Sequence, residues 1–254
     1  MIDTHCHLDM LDNIPEKIER AKENNITHII NPGISLESTK KAQELSSKYD
    51  NIYFLSGIHP EELSEKPYET ILEDLKEIEE IAKDKKCLGI GEIGFEYHYE
   101  NLLDKKQKEL FEKQIEIAEK LNKPIIIHSR DSFSDTYNIL KNNKQKTLIH
   151  CFDYGLSEME NFLELGFYIS FTGMITFKNA RKEIIECVKR IPENRLLIET
   201  DAPFLSPEPK RGEKNEPAFV KYVLEKISEI KRIDIKYLEN IINQNTKDFF
   251  QGIY

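Results

Sequence analysis

Short apolar runs alternate with longer amphipathic segments along the whole chain. The apolar runs, rich in isoleucine and leucine, predict eight β-strands at residues 1–7, 27–31, 52–58, 87–92, 124–128, 147–151, 167–171 and 195–200. The segments between them carry apolar residues at three- to four-residue spacing on a charged background, which predicts helices, among them 15–24, 36–49, 68–83, 105–121 and 131–142. Strands separated by helices of this length form βαβ units, and such units impose a parallel sheet.

Eight such units in 254 residues predict an α/β fold, a TIM (β/α)8 barrel, with a single domain spanning residues 1–254. A doubly wound open sheet is the rival, but it usually carries a glycine-rich turn after the first strand, where this chain reads THCHLD. The sequence contains neither GxGxxG nor GxxxxGK[ST], so dinucleotide and P-loop functions lose their main support. Residues 206–217, rich in Pro, Lys and Glu, are predicted as a long loop after the eighth strand, and two helical patterns follow it.

Charge and cysteine content narrow the class of protein. The chain has 46 acidic and 36 basic side chains, a net charge of −10, which argues against broad electrostatic binding of nucleic acid.

No run approaches the roughly 18 to 20 apolar residues of a membrane span. The start MIDTHCHLDM lacks the features of a signal peptide, so we expect a cytoplasmic protein with no membrane partner. The four cysteines form no CxxC pair and are predicted to be reduced, mostly buried thiols. They are Cys6, Cys87, Cys151 and Cys187.

Side chains of metal-ligand type stand where several strands are predicted to end. His5 and His7 lie two apart, so strand alternation turns both to one face. The full set at the strand ends is His5, His7, Glu92, His128, His150 and Asp201. In a parallel barrel these ends converge on one rim. Six ligands exceed one tetrahedral site, and mixtures of His, Glu and Asp suit two divalent ions bridged by a carboxylate and a water.

The remaining histidines and several cations are weaker candidates. His59 ends the third strand and is expected to face the rim or pack in a loop; His98, after the fourth strand, has the same alternatives. His28 begins the second strand, at the opposite end, and is expected to be an ordinary hydrogen-bonded or exposed side chain. Basic residues near the rim form a candidate anion funnel, at Arg130, Lys178, Arg181, Lys210, Arg211 and Lys214.

Seven segments resemble, in order and spacing, the signature blocks of the TatD family of metal-dependent deoxyribonucleases, within the amidohydrolase superfamily. They read DTHCHLD, SGIHPEE, GEIGFEYH, PIIIHSRD, IHCFDYG, ETDAPFLSP and RGEKNEP, and run from the first residues to Pro217. The resemblance implies a TIM barrel with two divalent ions held by residues matching His5, His7, Glu92, His128, His150 and Asp201. It also implies hydrolysis of phosphodiester bonds in DNA, as a 3′-to-5′ exonuclease that prefers single strands. The chain departs from the pattern at Glu96, where an aspartate is usual.

This resemblance gives each residue an expected role. Glu92 would bridge the ions, and Asp201 would ligate one of them and accept or orient the proton of the attacking water. Glu199, two residues before Asp201, would orient a ligand. Contacts with the phosphate or sugar are expected from Arg130, Arg211, Asn215 and His59. We expect a monomer whose partner is single-stranded DNA as substrate.

Two other functions stay open on the sequence. The same metal-activated water attacks a carbonyl, so a hydrolase of amides, lactones or esters, such as an esterase releasing aminoacyl groups from tRNA, is one alternative. A non-catalytic metal-binding scaffold is the other, although a barrel of this size needs no metal for stability and structural sites are commonly rich in cysteine. The ligand set suits Zn, Mn, Fe or Ni better than Mg, and activity with Mg stays open.

Overall fold

The computed structural model of the chain describes residues 1–99 and 104–253. Eight strands run through these residues: β1 (Ile2–Asp3), β2 (His28–Asn31), β3 (Ile52–Ser56), β4 (Cys87–Glu96), β5 (Ile125–Arg130), β6 (Thr147–Ile149), β7 (Tyr168–Phe171) and β8 (Leu196–Ile198). They belong to one sheet whose strand order follows the order of the chain. The sequence therefore predicted the number of strands and the type of sheet correctly.

Helices alternate with the strands. The α-helices of the described residues are α1 (Ile14–Glu23), α2 (Leu36–Lys48), α3 (Glu62–Glu65), α4 (Tyr68–Ile81), α5 (Asp104–Leu121), α6 (Phe133–Leu140), α7 (Leu156–Glu164), α8 (Lys182–Arg190), α9 (Val220–Lys231) and α10 (Ile235–Phe249). Short 3-10 helices lie at Leu8–Met10, Gly173–Thr176, Glu193–Arg195 and Pro217–Phe219. As predicted, a long loop follows β8 and two helices close the chain. None of the helices in the described ranges is both long and apolar enough to cross a membrane.

The residues group into two compact units. One comprises Met1–Asn31 with Cys151–Ile253, and the other comprises Pro32–His150. In the first unit β1 pairs with β2 and β7 pairs with β8, both in parallel. In the second unit β3, β4, β5 and β6 pair successively, also in parallel. The prediction of one domain over residues 1–254 is not decided by this grouping and stays a prediction.

The strands are buried on both faces. In β5 the three isoleucines from Ile125 to Ile127 are fully buried, and in β8 the run from Leu196 to Ile198 is buried as well. Two-sided burial is typical of parallel strands, because both faces of an all-parallel sheet are covered by other parts of the protein. It explains why these segments read as continuous apolar runs rather than as alternating patterns.

The lengths of β1 and β4 differ most from the prediction. β1 ends at Asp3 rather than at residue 7, and beyond it Cys6 forms only an isolated parallel bridge with Ala202. β4 continues past residue 92 to Glu96, because it stays paired with β5 through Gly94 opposite His128. Gly94 has φ of +142°, and a Cβ there would lie 1.9 Å from the His128 carbonyl oxygen. Only glycine allows this close approach. Gly94 therefore lets β4 stay paired with β5 as far as Glu96.

Candidate metal centre

The first unit brings His5, His7 and Asp201 together in a cluster that we call the His5 cluster. Their side chains are buried or largely buried. The Nε2 atoms of His5 and His7 lie 3.9 and 3.4 Å from the Asp201 Oδ1 atom. The two imidazole rings stand 5.1 Å apart in an edge-to-face arrangement. Both nitrogens therefore lie about as close to this carboxylate oxygen as the ligand atoms of one divalent cation lie to one another.

Backbone hydrogen bonds hold the His5 cluster in place. The Asp201 amide donates to the His5 carbonyl at 2.9 Å, and the His7 amide donates to the Ala202 carbonyl at 2.8 Å. The buried Asp3 carboxylate accepts hydrogen bonds from the amide and the hydroxyl of Thr200 at 2.9 and 2.6 Å. Asp201 itself has φ of +54°, a left-handed backbone that a non-glycine residue keeps only where its surroundings enforce it. The segment after β8 is therefore fixed against the segment after β1.

Glu199 supports this segment from inside the unit. Its fully buried carboxylate accepts a hydrogen bond from the Cys151 amide at 2.6 Å and one from the Ser170 hydroxyl at 2.7 Å. Cys151 directly follows His150 in the sequence. The predicted role of Glu199, to orient a ligand, stays a prediction, because this hydrogen bond reaches the backbone of Cys151 and not a histidine ring.

The second unit gathers histidines around Glu92, in a group that we call the Glu92 cluster. The Glu92 Oε1 atom lies 2.7 Å from His150 Nε2, 2.9 Å from His128 Nδ1 and 3.5 Å from His59 Nε2. One ligand atom each from His59, Glu92 and His128 lie within 4.8 Å of one another, which is close enough for a shared metal ion. Burial opposes ionisation of Glu92, but the neighbouring His150, His59 and His128 outweigh it and hold the pKa of this carboxyl well below its ordinary value.

Glu96 contacts His128 of the Glu92 cluster. Its buried Oε2 atom lies 3.1 Å from His128 Nε2, on the ring nitrogen that does not face Glu92. Burial opposes protonation of His128, yet the hydrogen bonds with Glu92 and Glu96 raise its pKa above the ordinary value. A carboxylate on the second nitrogen fixes the tautomer and orientation of a ligating histidine. Glu96 therefore orients His128, a role that sequence reasoning left open because β4 was predicted to end at residue 92.

The Glu96 carboxylate is itself held in position. The Gln107 side chain both accepts from the Glu96 amide at 2.9 Å and donates to the Glu96 carbonyl at 3.0 Å. The His98 amide donates to Glu96 Oε1 at 2.7 Å. Side chains at positions 92, 94 and 96 of a strand share one face. A longer predicted strand would thus have placed Glu96 beside the ligands.

His59 and Arg130, both predicted to contact substrate, lie next to the Glu92 cluster. The His59 ring packs 4.3 Å from that of His128, and its Nδ1 atom accepts from the Glu61 amide at 3.2 Å. Arg130 is exposed, with its Nη1 atom 3.8 Å from Glu96 Oε2. Both positions are compatible with the predicted contacts, which stay predictions.

The structure gives Asn215 a different role from the predicted substrate contact. Asn215 is fully buried, and its amide donates to the carbonyls of Thr200 and Phe204 at 2.9 and 2.5 Å. Its side-chain oxygen accepts from the Glu216 amide at 3.0 Å. These bonds join the long loop to both sides of Asp201. Asn215 is therefore positioned to hold the backbone around Asp201, and its amide is not presented to solvent.

The predicted anion funnel is weaker than the sequence suggested, because carboxylates accompany several of its cations. Arg181 lies 3.1 Å from Asp153, and Lys210 lies 3.1 Å from Glu213. The Arg211 guanidinium donates to the Ser206 carbonyl at 3.1 Å and lies 4.1 Å from the centre of the Phe177 ring. A phosphate contact by Arg211 would have to share or replace these interactions.

The cysteines and the remaining histidines agree with the predictions for them. The four cysteines are free, and three of them are buried. Burial raises the pKa of the Cys6 thiol well above its ordinary value, so it is a poor ligand despite its place between His5 and His7. His28 hydrogen-bonds with the Thr27 hydroxyl at 3.1 Å, and the exposed His98 lies 3.2 Å from Asp131.

A family model described as TatD related DNase matches residues 2–251 of the chain. The chain belongs to the TatD family. This TatD protein is 39% identical to an uncharacterized metal-dependent hydrolase, YabD, from Bacillus subtilis, over 99% of each chain. It is 35% identical to an uncharacterized metal-dependent hydrolase from Methanocaldococcus jannaschii, over 98% of this chain and 96% of the relative.

Solved structures give the fold of this TatD protein. The TatD homologue YJJV from Escherichia coli matches with a TM-score of 0.91 and 27% identity, over 98% of this chain and 97% of the other. A hydrolase TatD family protein from Entamoeba histolytica matches with a TM-score of 0.88 and 26% identity, over 99% and 98%. The predicted TIM (β/α)8 barrel is thereby confirmed.

Proposed function

We propose that this TatD-family metal-dependent hydrolase cleaves phosphodiester bonds of DNA, as a 3′-to-5′ exonuclease that prefers single strands. The observation that carries the proposal is that, in each cluster, imidazole nitrogens surround a carboxylate. That carboxylate is Asp201 in the His5 cluster and Glu92 in the Glu92 cluster. Such donors fit Zn, Mn, Fe or Ni, and Mg less well. We propose that two divalent cations would be held by the six predicted ligands, which are His5, His7, Glu92, His128, His150 and Asp201.

Bound divalent cations supply positive charge for phosphoryl oxygens and lower the pKa of water. The residues of the chain do the rest. The Asp201 carboxylate, which is 14% exposed and whose backbone amide donates to the His5 carbonyl, would accept the proton of an attacking water. Glu92, with its low pKa, stays an anion and keeps its histidines oriented toward one oxygen. Glu96 holds the His128 ring from the other side.

The amide and ester hydrolases remain the second candidate, because a carbonyl can be attacked by the same kind of site. The family model is described as that of a DNase, which favours the phosphodiester over the carbonyl. A purely structural metal role is disfavoured by the absence of thiolate ligands from both clusters. The cytoplasmic location and the monomeric state stay predictions.

The test is hydrolysis by protein reconstituted with each metal in turn. Labelled single-stranded DNA, the matching duplex, bis-p-nitrophenyl phosphate and a panel of amides and aminoacyl esters serve as substrates. We expect cleavage of single-stranded DNA from the 3′ end, and loss of cleavage on chelation. Faster turnover of an ester or amide would replace the proposal by the second candidate. A large loss of thermal stability on chelation, without hydrolysis of any substrate, would indicate a scaffold.

A further inference from the structure

An exposed aromatic ring stands directly beside the His5 cluster. Phe204 is 52% exposed, although large apolar side chains elsewhere in the described residues are mostly buried. It follows Asp201 by three positions, and its ring centre lies 6.1 Å from that of His7, with the planes at 77°. The ring therefore borders the candidate ligands while it presents much of its surface to solvent.

Hydrogen bonds hold the backbone that carries this ring. The Phe204 amide donates to the Asp201 carbonyl at 2.9 Å, and its carbonyl accepts from the Asn215 side chain at 2.5 Å. The backbone amide of Asn215 also donates to the Pro203 carbonyl at 3.3 Å. An aromatic ring held in water costs free energy that burial would recover, so a bound group that covers it gains affinity. Because the backbone at Phe204 is held before binding, less ordering entropy opposes that gain than on an unbonded loop.

The charge of the surroundings points to the kind of group that covers the ring. The chain carries a net charge of −10, and Lys210 and Arg181 of the loops are paired with acids. These two cations are therefore less available to the phosphates of a nucleic-acid strand, and a contact that needs no charge would add to its affinity. Stacking of a base on an aromatic ring supplies it without charge and without dependence on base sequence.

We propose that Phe204 stacks against a nucleobase next to the phosphodiester that is cleaved. The inference rests on the proposed function and narrows its substrate class to strands whose bases at the scissile bond are unpaired. In a duplex these bases are stacked on their neighbours and unavailable to the ring. The contact therefore gives a physical reason for a preference for single strands.

The test compares base-bearing and abasic ends. Single-stranded oligonucleotides carry a normal nucleotide, or a tetrahydrofuran abasic unit, at the 3′-terminal or the penultimate position, on either side of the scissile bond. For Phe204→Ala we expect kcat/KM to fall about 5- to 150-fold on the normal strand, the range that corresponds to one stacked base. On the abasic strand that places the gap at the stacked position, the variant and the unaltered chain should be nearly equal.

Three further variants separate stacking from other effects. Phe204→Tyr should retain the preference for a base, whereas Phe204→Leu, which is apolar but has no aromatic face, should lose most of it. Tyr237→Ala removes an equally exposed ring, 54% exposed, on α10 and should change nothing.

The outcomes distinguish the inference from the proposed function. Equal losses on normal and abasic strands would mean that Phe204 only supports His7, and would overturn the stacking contact. Equal rates on both strands for the unaltered chain would also overturn it, while phosphodiester hydrolysis would stand. If the unaltered chain hydrolyses neither strand, both the proposed function and the inference fail.

Discussion

Replacing Asn215 by alanine should destabilise the protein and slow it, rather than weaken substrate binding alone. The substitution removes two donated hydrogen bonds, to the Thr200 and Phe204 carbonyls, and one accepted from the Glu216 amide. A buried hydrogen bond contributes about 0.5–1.5 kcal/mol net, and a buried polar atom left without a partner costs about 1–3 kcal/mol. Because some of the freed groups will find water, we expect a loss of about 2–4 kcal/mol. For a chain of this size that lowers the melting temperature by roughly 4–16 °C.

A matched control is available in Asn245, another buried asparagine of the same unit. Its side chain donates to the carbonyls of Glu193 and Leu196 at 2.6 and 2.9 Å, at the start of β8 rather than at its end. Asn245→Ala should therefore lower the melting temperature by a similar amount and leave kcat of the folded protein unchanged. Asn215→Ala should lower both, because it loosens the backbone around Asp201.

Thermal melts and steady-state kinetics below the melting temperature decide between the two roles of Asn215. Unchanged stability with a raised KM and a normal kcat would refute the structural reasoning and restore the substrate contact predicted from the sequence. A loss of stability with kinetics identical to those of Asn245→Ala would show that the loop bonds do not reach Asp201.

Further substitutions, at His5 with His7, at Asp201 and at Glu96, test the clusters. Replacing His5 and His7 together by alanine should remove one ion and nearly all turnover while the fold persists; two ions per chain by elemental analysis would contradict the His5 cluster. Asp201→Asn should reduce turnover by roughly 10²-fold or more with only a modest loss of metal, and normal turnover with full metal would leave Asp201 a ligand alone. Glu96→Gln should weaken metal binding about 10- to 100-fold in a chelator competition, because the tautomer of His128 is no longer imposed. Glu96→Asp should recover much of that loss, and equal affinities for all three proteins would refute the orienting role.

Much of the candidate site was predictable because each candidate ligand is marked by its local sequence. Nearly apolar segments end at or near Glu92, His128 and His150. A polar side chain at such a place is costly to bury unless a partner satisfies it, so it indicates a functional role. The hydrophobic pattern gives the strands, and the alternation of side chains gives the face. The lengths of β1 and β4 were less predictable, since they depend on pairing with other strands. Gly94 shows this well, because its close approach to His128 exists only once β5 lies beside β4.

The sequence by itself determined which side chains are available for metal chemistry, the βα alternation and the family, since all of these are carried by local patterns. Only the tertiary structure decided the partners of the polar side chains. It placed Glu96 on His128, turned Asn215 toward the backbone of Thr200 and Phe204, and paired Arg181 with Asp153. The physical reason is that a hydrogen bond or ion pair depends on which distant segments the fold brings within about 3 Å. Periodicity along the chain records the direction of a side chain but not what it meets.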